Sequence, residues 1–325
     1  PSITVSTCPA SWATFWSVVV ASCTARSGGF PERQVRIVVP YPPGGTADIL
    51  GRTLADHLAR SWGQPVIVDN KAGAGGSIGV DAVAKAPADG HTLVLGVTGA
   101  LTIAPNLRRL PYDPQRDLAP ISLVGAAPGM LAIHPSVPAG NVAELIALAK
   151  AQPGKLSFSS AGIGTSVHIA AELFKSMANV DILHAPYKGG TPSVQALLGG
   201  EVSMTFETVP LLLPHVKAGK LKGLAVTSLR PSIVAPDLPP IAQALPGYQV
   251  TTWFGLLAPA GTPAKVIQKI HGDVVQALSP PPVRARLAAL GIETVASTPA
   301  ELADHLASET QRFAKVIKEA GIVAE

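Results

Sequence analysis

The sequence predicts an α/β fold made of two lobes, and three observations support this prediction. Short apolar runs alternate with amphipathic stretches from residue 35 onward, as expected when strands of largely parallel sheets alternate with helices. Two longer apolar runs, at residues 121–133 and 250–259, interrupt the alternation, and each follows a Pro-rich segment. With 325 residues, of which 47% are hydrophobic and 14% charged, the chain is long and apolar enough for two cores.

The first elements of lobe 1 follow from local pattern. Residues 35–39 form a predicted strand, and Leu50 and Leu54 begin an apolar series at helical spacing directly after it. A second strand at residues 65–69, a glycine-rich loop, a short helix and a third strand at residues 91–96 come next. Together they predict a sheet with helices packed against it.

The two longer runs are predicted to lead the chain into lobe 2 and back. We expect residues 121–133 to be the first crossover strand and residues 250–259 the second. Between them, Asn141 followed by Glu144 is close to a capping box and predicts a helix start. Strands alternate with helices through the rest of this stretch, at residues 155–159, 181–185, 202–206 and 221–226.

Two helices are predicted to close the chain and to complete lobe 1. Thr262 and Pro263 begin the first of them. Thr298 and Glu301 form a capping box that begins the second, and Gly321 ends it. The expected lobe boundaries are residues 31–128 with 254–325 for lobe 1, and residues 129–253 for lobe 2.

Residues 1–30 are predicted to be an export leader. The apolar run at residues 12–21 is shorter than the ~20 residues of a membrane span but suits the core of a signal peptide. Residues 20–23, VASC, resemble a bacterial lipoprotein processing site with Cys23 as the acylated residue. Cys8 is the other cysteine, so no disulfide is expected beyond the leader. These features predict a periplasmic protein, either soluble or anchored by a lipid.

Composition and motifs argue against nucleic-acid, nucleotide and metal chemistry. The 25 basic and 21 acidic side chains are spread along the chain, without a basic cluster that carries interleaved aromatics. No GxxxxGK(S/T) loop occurs, and Gly162 and Gly164 lack the third glycine of a dinucleotide fingerprint. The eight histidines are scattered and form no HExxH pair. We therefore expect no nucleic-acid partner, no cofactor and no metal.

Three strand-to-helix junctions predict an anion site. They lie within residues 35–58, 155–174 and 181–198, and each passes through a glycine-containing turn with Thr or Ser near the helix start. The first amides of a helix lack internal partners and lie at the positive end of its dipole, so they can hold a carboxylate or phosphate without a cationic side chain. Gly44 and Gly45 let a ligand approach the backbone closely. Three junctions of this kind favour one shared pocket.

Three polar side chains at these junctions each have two readings. Asp48 either complements the helix dipole, worth roughly 0.3 to 1 kcal/mol, or binds the ammonium group of an amino-acid ligand. Lys188 is either a solvated surface cation or a ligand contact. His168 either donates to an anion or caps local backbone.

Ser77 raises the alternative of a serine esterase. Residues 75–79 match the G-x-S-x-G nucleophile elbow, which requires its serine on a sharp turn directly after a strand. Here the segment NKAGA intervenes after the predicted strand, and Ser77 is expected to start a helix as its cap. The context therefore argues against a hydrolase, and no catalytic residue is predicted.

Several segments together resemble the Bug/TctC family, the extracytoplasmic solute receptors of tripartite tricarboxylate transporters. They are VRIVVPYPPGGTADILGR, GQPVIVDNKAGAGGSIGVDAVAKAPADGHTLVLG, LPYDPQRDLAPISLV, SFSSAGIGTSVHIAAELF and PYKGGTPSVQALLGGEVSMTFE. The resemblance implies a type II periplasmic-binding-protein fold, in which two α/β lobes close over a ligand. It also implies a carboxylate-bearing ligand that is bound mainly by backbone N–H groups and bridging waters.

The resemblance also implies which residues contact the ligand. From lobe 1 these are Tyr41, Pro43, Gly44, Gly45, Thr46, Asp48, Thr98 and Gly99. From lobe 2 they are Ala161, Gly162, Gly164, Thr165, Ser166, His168, Tyr187, Lys188 and Gly189.

Two departures from the family pattern bear on the ligand. Glu207 stands where family members commonly carry Asp. Its longer side chain places the carboxyl group of this predicted ligand-shell residue at a different distance from the backbone. Leu101 and Thr102 stand where many members have a polar His or Asn, which favours a more apolar or aromatic acid.

The predicted function is an exported, non-enzymatic receptor that captures an organic acid and presents it to a membrane permease. Di- or tricarboxylates, amino acids and aromatic acids all remain candidate ligands, and a monomer is expected. A sensor that hands its liganded form to a membrane kinase is the main alternative, because it shares the fold and the pocket.

Overall fold

A computed structural model describes residues 29–323 of the chain. The predicted leader, its export signal and the lipidation site at Cys23 lie outside the described residues. The strands in the described part are β1 (Val35–Val39), β2 (Val66–Asn70), β3 (Thr92–Val97), β4 (Leu118–Pro128), β5 (Met130–Ile133), β6 (Ser157–Ser160), β7 (Leu183–Pro186), β8 (Met204–Thr205), β9 (Lys222–Val226), β10 (Thr251–Pro259) and β11 (Glu293–Thr294). The α-helices are α1 (Thr46–Trp62), α2 (Ser77–Ala84), α3 (Ala104–Leu107), α4 (Val142–Ala151), α5 (Ser166–Ala178), α6 (Gly190–Leu198), α7 (Val209–Lys217), α8 (Ala264–Leu278), α9 (Pro281–Ala289) and α10 (Pro299–Glu319).

The strands form two separate sheets, one in each lobe. Within residues 29–323, the lobe 1 sheet has the order β11-β4-β10-β3-β1-β2 and the lobe 2 sheet has the order β7-β6-β8-β5-β9. Helices cover both faces of each sheet. In lobe 1, α1 and α8 pack on one face and α2 and α10 on the other. In lobe 2, α4 and α5 pack opposite α6 and α7.

Both predicted crossover strands are present. After β4, a single residue, Gly129, separates the lobe 1 sheet from β5 in the lobe 2 sheet, and β10 returns the chain to lobe 1. The predicted fold class, two α/β lobes joined by two crossover strands with a cleft between them, is confirmed. The exact lobe boundaries at residues 128 and 254 stay a prediction.

The expectation of largely parallel sheets is wrong for about half of the strand pairs. β1 runs parallel to β2 and β3, but β10 is antiparallel to both β3 and β4. In lobe 2, β6 is parallel to β7 and β8, whereas β5 is antiparallel to β8 and β9. The reason is the double crossing, because a strand that leaves a lobe and one that returns to it run in opposite directions when they lie side by side.

Local capping signals predicted the helix starts well, and the apolar pattern missed one helix. The Asn141 side chain accepts the Glu144 N–H, and Thr298 with Glu301 forms the full capping box. Ser77 is the first residue of α2 rather than its cap, which is Gly76. Three helices close the part of the chain that the structure describes, instead of two, since α9 was not predicted. Its only buried side chain is Leu287, so it has no apolar stripe to detect.

The described helices give no candidate membrane span. None of those within residues 29–323 combines the length and the apolar composition that crossing a bilayer requires.

Candidate ligand-binding site

A cleft lies between the lobes, at the carboxyl ends of β1, β6 and β7. It contains about 490 Å³ of atom-free space when its mouth, which is open to solvent, is included. Ligands of α/β proteins commonly bind at such strand ends, because the turns and helix starts meet there. The cleft is lined by Tyr41, Pro42, Gly45, Thr46, Ala47, Val97, Ala161, Thr165, Ser166, Val167, Gly190, Thr191, Glu207, Thr208, Leu211, Thr252 and Phe254.

Four helix N-termini meet at this cleft. Thr46 begins α1, Ser166 begins α5, Gly190 begins α6, and Thr208 is the N-cap of α7. The four helices are 17, 13, 9 and 9 residues long, so each has a developed dipole. Because the first amides of each helix have no partner inside the helix, the cleft walls present hydrogen-bond donors and partial positive charge.

The lining carries no full positive charge. Among the described residues that line the cleft there is no Lys, Arg or His, and Tyr41 and Glu207 are its titratable members. Val97, Val167, Leu211 and Phe254 add apolar surface. The geometry therefore suits an anion on a short apolar skeleton, held by amides and hydroxyls rather than by a cationic side chain.

Hydroxyl pairs bridge the cleft between elements of different lobes. The Thr46 and Thr208 hydroxyls lie 2.8 Å apart, which joins α1 of lobe 1 to the start of α7 in lobe 2. The Ser166 hydroxyl lies 2.7 Å from that of Thr252 on the crossover strand β10. Thr191 Oγ1 is buried and has no hydrogen-bond partner among residues 29–323. A buried hydroxyl without a partner costs free energy, so this atom is placed to bond a ligand.

Glu207 presents a second buried polar atom to the cleft. The side chain is 3% exposed, and its Oε2 accepts the Thr208 N–H at 3.2 Å. Its Oε1 is buried and has no hydrogen-bond partner within the described part of the chain. Burial raises the pKa of Glu207 to about 7, and the Thr208 N–H opposes this shift only in part.

This raised pKa predicts a pH dependence of stability that Glu207→Gln removes. A carboxyl whose pKa is higher in the folded state stabilises the fold fully below its ordinary pKa of 4.5, and the contribution is lost as the pH rises through about 7. Between pH 4.5 and 8 we expect the free energy of unfolding of the wild type to fall by roughly 2 to 3 kcal/mol relative to Glu207→Gln. Urea unfolding of both proteins at several pH values measures this difference.

The wild type has to be compared with Glu207→Gln because His168 changes the free energy of unfolding with pH in the opposite direction. Burial, with smaller contributions from His184 and Lys175, lowers the pKa of His168 to about 3. Its stabilising contribution is therefore present above its ordinary pKa and is lost as the pH falls. The His168 contribution is the same in both proteins and cancels in the difference. Parallel stability curves would show that Glu207 has no raised pKa.

Seven residues of the predicted ligand shell line the cleft. They are Tyr41, Gly45, Thr46, Ala161, Thr165, Ser166 and Glu207. The other eleven do not line the cleft, and two of them, Asp48 and His168, hold its loops in place.

Asp48 is one of these loop-holding residues. Its side chain is 5% exposed, and both carboxylate oxygens are engaged. Oδ2 accepts hydrogen bonds from the Gly44 N–H and from Arg52 Nε–H, both at 2.9 Å, and Oδ1 accepts one from Asn70 Nδ2–H at 3.0 Å. Although burial opposes it, hydrogen bonds from Arg52, Gly44 and Asn70 keep the pKa of Asp48 below its usual value. Asp48 lies in the first turn of α1, as the helix-dipole reading expects, and its side chain also fixes the turn before that helix and does not line the cleft.

His168 holds the second loop. Its Nδ1 accepts the Gly164 N–H at 3.4 Å, and its ring packs against His184 with the ring centroids 4.5 Å apart. The side chain is 1% exposed and does not line the cleft. Of its two readings, the structure supports the one in which His168 caps local backbone.

Several predicted glycines lie where the lobes touch. A Cβ atom on Gly99 would lie 2.8 Å from the Gly164 carbonyl oxygen, and one on Gly189 would lie 2.6 Å from Pro42 Cδ. Thr98, beside Gly99, is bonded to the backbone of Trp253 on β10. Gly99 and Gly189 contribute to the close approach of the two lobes, whereas Thr98 joins the end of β3 to β10 within lobe 1; none of the three lines the cleft.

The remaining predicted residues lie at the rim or in a neighbouring cavity. Gly162, Tyr187 and Lys188 line a second cavity, with about 620 Å³ of atom-free space including its mouth, whose lining also includes Arg108. Tyr41 lies between this cavity and the main cleft, and its hydroxyl donates to the Gly75 carbonyl at 3.0 Å. Pro43 and Gly44 are exposed beside the α1 turn.

Leu101 and Thr102 do not bear on the choice of ligand as expected. Leu101 is 1% exposed and packs in the lobe 1 core, and Thr102 donates its hydroxyl to the Thr98 carbonyl at 2.8 Å. Neither side chain lines the cleft. The apolar part of the wall comes instead from other residues, such as Phe254 and Leu211.

Ser77 is not placed as a nucleophile elbow. It begins α2, seven residues after β2 ends at Asn70, and Arg108 Nη2 lies 3.4 Å from its hydroxyl. This placement gives the esterase alternative no support. Among residues 29–323 there is also no group of three His, Cys, Asp or Glu side chains arranged to hold a metal ion.

The fourth helix start was missed in the sequence because it has no glycine turn. Thr208 caps α7 and is followed by Pro210 near the first helical position, a combination that marks a helix start. Thr191, Gly190 and Thr252 were also not predicted as cleft residues. The glycine-rich turns predicted cleft residues only in the loops before helices, whereas Thr252 reaches the cleft from the crossover strand β10.

Comparisons with known proteins agree with this architecture. Residues 50–322 match the family described as the tripartite tricarboxylate transporter family receptor, TctC. The protein BugT of Bordetella pertussis is 39% identical over 298 residues, which cover 90% of each chain. A solved structure of R. palustris Rpa4515 with adipate superposes with a TM-score of 0.88 at 36% identity, covering 91% of this chain and 99% of that chain. MatC from Rhodopseudomonas palustris with bound malate gives a TM-score of 0.85 at 32% identity, covering 89% and 100%.

Proposed function

The chain belongs to the TctC family of tripartite tricarboxylate transporter receptors, and from this premise we propose that it captures a small organic acid in the cleft between its lobes. The observation that carries the proposal is the meeting of four helix N-termini in a cleft whose described lining has no cationic side chain. A carboxylate is the ligand group that such amides hold well. The adipate and malate bound by the two R. palustris proteins support the same ligand class.

The ligand class that fits this cleft best is a short dicarboxylate. One carboxylate takes the amides at the starts of α1 and α5, and the side chains of Val97, Leu211 and Phe254 contact the carbon skeleton. Asp48 is fully engaged by Gly44, Arg52 and Asn70, so the α1 turn has no free acid for a ligand ammonium. A plain acid is therefore favoured over an amino acid.

Binding works through lobe closure in this proposal. The Thr46–Thr208 pair and the close approach of Gly99 to Gly164 join the lobes in this structure, which the proposal takes as the closed form. A ligand held by both lobes binds the closed form better, and it shifts the open-to-closed equilibrium by that difference in affinity. No bond is made or broken.

We further propose that the receptor acts in the periplasm and delivers its ligand to a membrane permease. Family membership supports this partner. The alternative partner is a sensor kinase, which would read the same closed form. Cross-linking of the liganded receptor in membranes, followed by identification of the captured protein, separates the two.

The ligand class is tested by calorimetric titration of the purified receptor. Adipate, malate, citrate, glutamate and benzoate form a suitable panel, since they cover the dicarboxylate, tricarboxylate, amino-acid and aromatic classes. We expect an aliphatic dicarboxylate to bind most tightly. Tightest binding of glutamate or benzoate would contradict the assignment of class, and the absence of any binding would contradict the site.

Replacing the unpartnered hydroxyl tests one contact in this site. In Thr191→Val we expect adipate to bind three- to tenfold more weakly, because one hydrogen bond to the ligand is lost. The thermal stability of the free protein should not fall, since the hydroxyl has no partner to lose within the described residues. Thr53→Val is the matched control, because the Thr53 hydroxyl bonds the Ile49 carbonyl within α1 and lies outside the cleft. Equal affinities of the two variants would remove Thr191 from the site.

A further inference from the structure

We propose that Glu207 binds the ligand as a neutral carboxylic acid, donating a hydrogen bond from Oε1 to a ligand carboxylate oxygen, so that in alkaline solution a proton is taken up with the ligand. This inference rests on the proposed function, because it assigns a role to one wall of the same cleft. It makes Glu207 a residue that sets both the ligand class and the pH range of capture.

The two oxygens of Glu207 have different surroundings, and this difference locates the proton. Oε2 accepts the Thr208 N–H, so it serves as an acceptor. Oε1 is buried and has no hydrogen-bond partner among residues 29–323. A Cβ atom on Gly190 would lie 3.0 Å from Oε2, so the backbone of α6 packs directly against the carboxyl group and limits its movement. The proton therefore belongs on Oε1, where it can be donated to a ligand.

The charges around Glu207 favour its neutral form when a second carboxylate enters. Tyr41 from lobe 1 is the other titratable group in the described lining, and burial raises its pKa well above the ordinary value, so it stays a neutral phenol. The segments β5, β8, β10 and α6 supply no ionisable side chain. On α7, His215 and Lys217 lie in the last turn, at the end remote from Glu207. On α1, Asp48 is held by Arg52 outside the cleft.

Because no cationic side chain is present among the described lining residues, two ionised carboxylates in this cleft would repel each other. When two carboxyl groups share a site, one of them retains its proton at a pH well above its ordinary pKa. The helix N-termini stabilise one negative charge, and the ligand brings that charge. A neutral Glu207 then becomes a donor to the ligand instead of a repelling group, and its unpartnered oxygen gains a partner.

The opposite arrangement is an ionised Glu207 that binds a ligand ammonium. In that case affinity would rise with pH as Glu207 loses its proton, and an amino acid would bind better than the acid without the amino group. The two arrangements thus predict opposite slopes of affinity against pH.

The pH range follows from the raised pKa of the free protein, which is about 7. Below this value Glu207 already carries the proton, so affinity does not change with pH. Above it, each binding event takes up one proton, and the affinity falls by up to tenfold for each pH unit. Simple dicarboxylates are fully ionised above pH 6.5, so their own titration does not contribute in this range.

The test is titration calorimetry with adipate between pH 6.5 and 9, in pairs of buffers with different ionisation enthalpies, which counts the protons taken up. For the wild type we expect the affinity to fall at least tenfold from pH 7 to pH 9, with uptake approaching one proton. For Glu207→Gln, which is always neutral and a donor, we expect a change of less than threefold and no uptake. Glu293→Gln removes one exposed acidic charge on β11 and should behave as the wild type.

Each outcome decides between the inference and the proposed function. A wild type without proton uptake, a wild type that binds more tightly as the pH rises, or an equal pH slope in Glu207→Gln would overturn the inference while the carboxylate site stands. Failure of adipate and of the other acids in the panel to bind any of the three proteins would overturn the proposed function itself. Proton counting on the wild type keeps the inference testable even if Glu207→Gln does not fold.

Discussion

Replacing Gly45 by valine should weaken adipate binding by a hundredfold or more while leaving the fold intact. Gly45 is the N-cap of α1 and lines the cleft. A β-branched side chain there places methyl groups beside the first amides of α1, at Thr46 and Ala47. Loss of one or two charge-assisted hydrogen bonds, worth about 1.5 to 3 kcal/mol each, accounts for an effect of this size.

The backbone at Gly45 makes this substitution a clean test. Its φ of −80° and ψ of 170° are open to any residue, and a Cβ atom would meet nothing closer than the Pro42 carbonyl oxygen at 3.8 Å. The loss of cap preference costs about 1 kcal/mol at most, because glycine itself is a modest cap. Gly272→Val is the matched control, since Gly272 is exposed on α8 with open space around its Cα. Wild-type affinity in a folded Gly45→Val protein would remove the α1 amides from the site.

Replacing Gly99 by alanine should weaken adipate binding by about thirtyfold or more through a different route, by preventing closure. Gly99 belongs to lobe 1, and a Cβ atom on it would lie 2.8 Å from the Gly164 carbonyl oxygen and 2.9 Å from Thr165 Cα in lobe 2. Both atoms are backbone, so no flexible side chain can make room. Since φ of Gly99 is not in the left-handed region, lobe 1 itself accepts the methyl group.

The readout that distinguishes closure from direct contact is the size of the liganded protein. Small-angle scattering at saturating adipate should show that the wild type becomes more compact and that Gly99→Ala stays open. Gly272→Ala serves as the control with a methyl group added outside the cleft and the lobe contact. If Gly99→Ala binds and compacts as the wild type does, the closed arrangement is not the ligand-binding form.

The parts of the fold set by neighbouring residues were predictable from the sequence. The strand–turn–helix unit from β1 to α1 depends on a buried strand, a glycine turn and leucines at helical spacing, all within about thirty residues. The cap at Asn141 and the capping box at Thr298 are also local. Such patterns predict the structure directly because the residues that contact one another are only a few positions apart in the sequence.

The parts that depend on distant partners were not predictable in this way. The antiparallel pairing of β4 with β10 joins segments more than a hundred residues apart and follows from the path of the whole chain. The role of Asp48 was left open by the sequence because one of its three partners, Asn70, lies on β2, beyond the end of α1. The glycines at the lobe contact look like ligand-approach glycines until the opposite lobe is in place.

The residues of the candidate site also divide into those that local sequence indicates and those that depend on distant parts of the chain. Gly45 was indicated by the glycine turn before α1 itself, whereas the family resemblance supplied Ser166, and both line the cleft. Thr252 and Thr208 were missed, because one reaches the cleft from a crossover strand and the other begins a helix without a glycine turn. Family resemblance supplied Glu207 as a position, but its unpartnered Oε1 is visible only in three dimensions.

The central claim is that the cleft binds carboxylates through helix N-termini, and the most direct measurement is a paired titration. Adipate and malate are each compared with the neutral diamide of the same carbon skeleton, which keeps the size and removes the charge. We predict that at least one diacid binds and raises the unfolding temperature, while its diamide binds at least a hundredfold more weakly. Equal affinity for a diacid and its diamide would contradict the account, because the N–H groups at the helix N-termini would then not recognise the ligand by its negative charge.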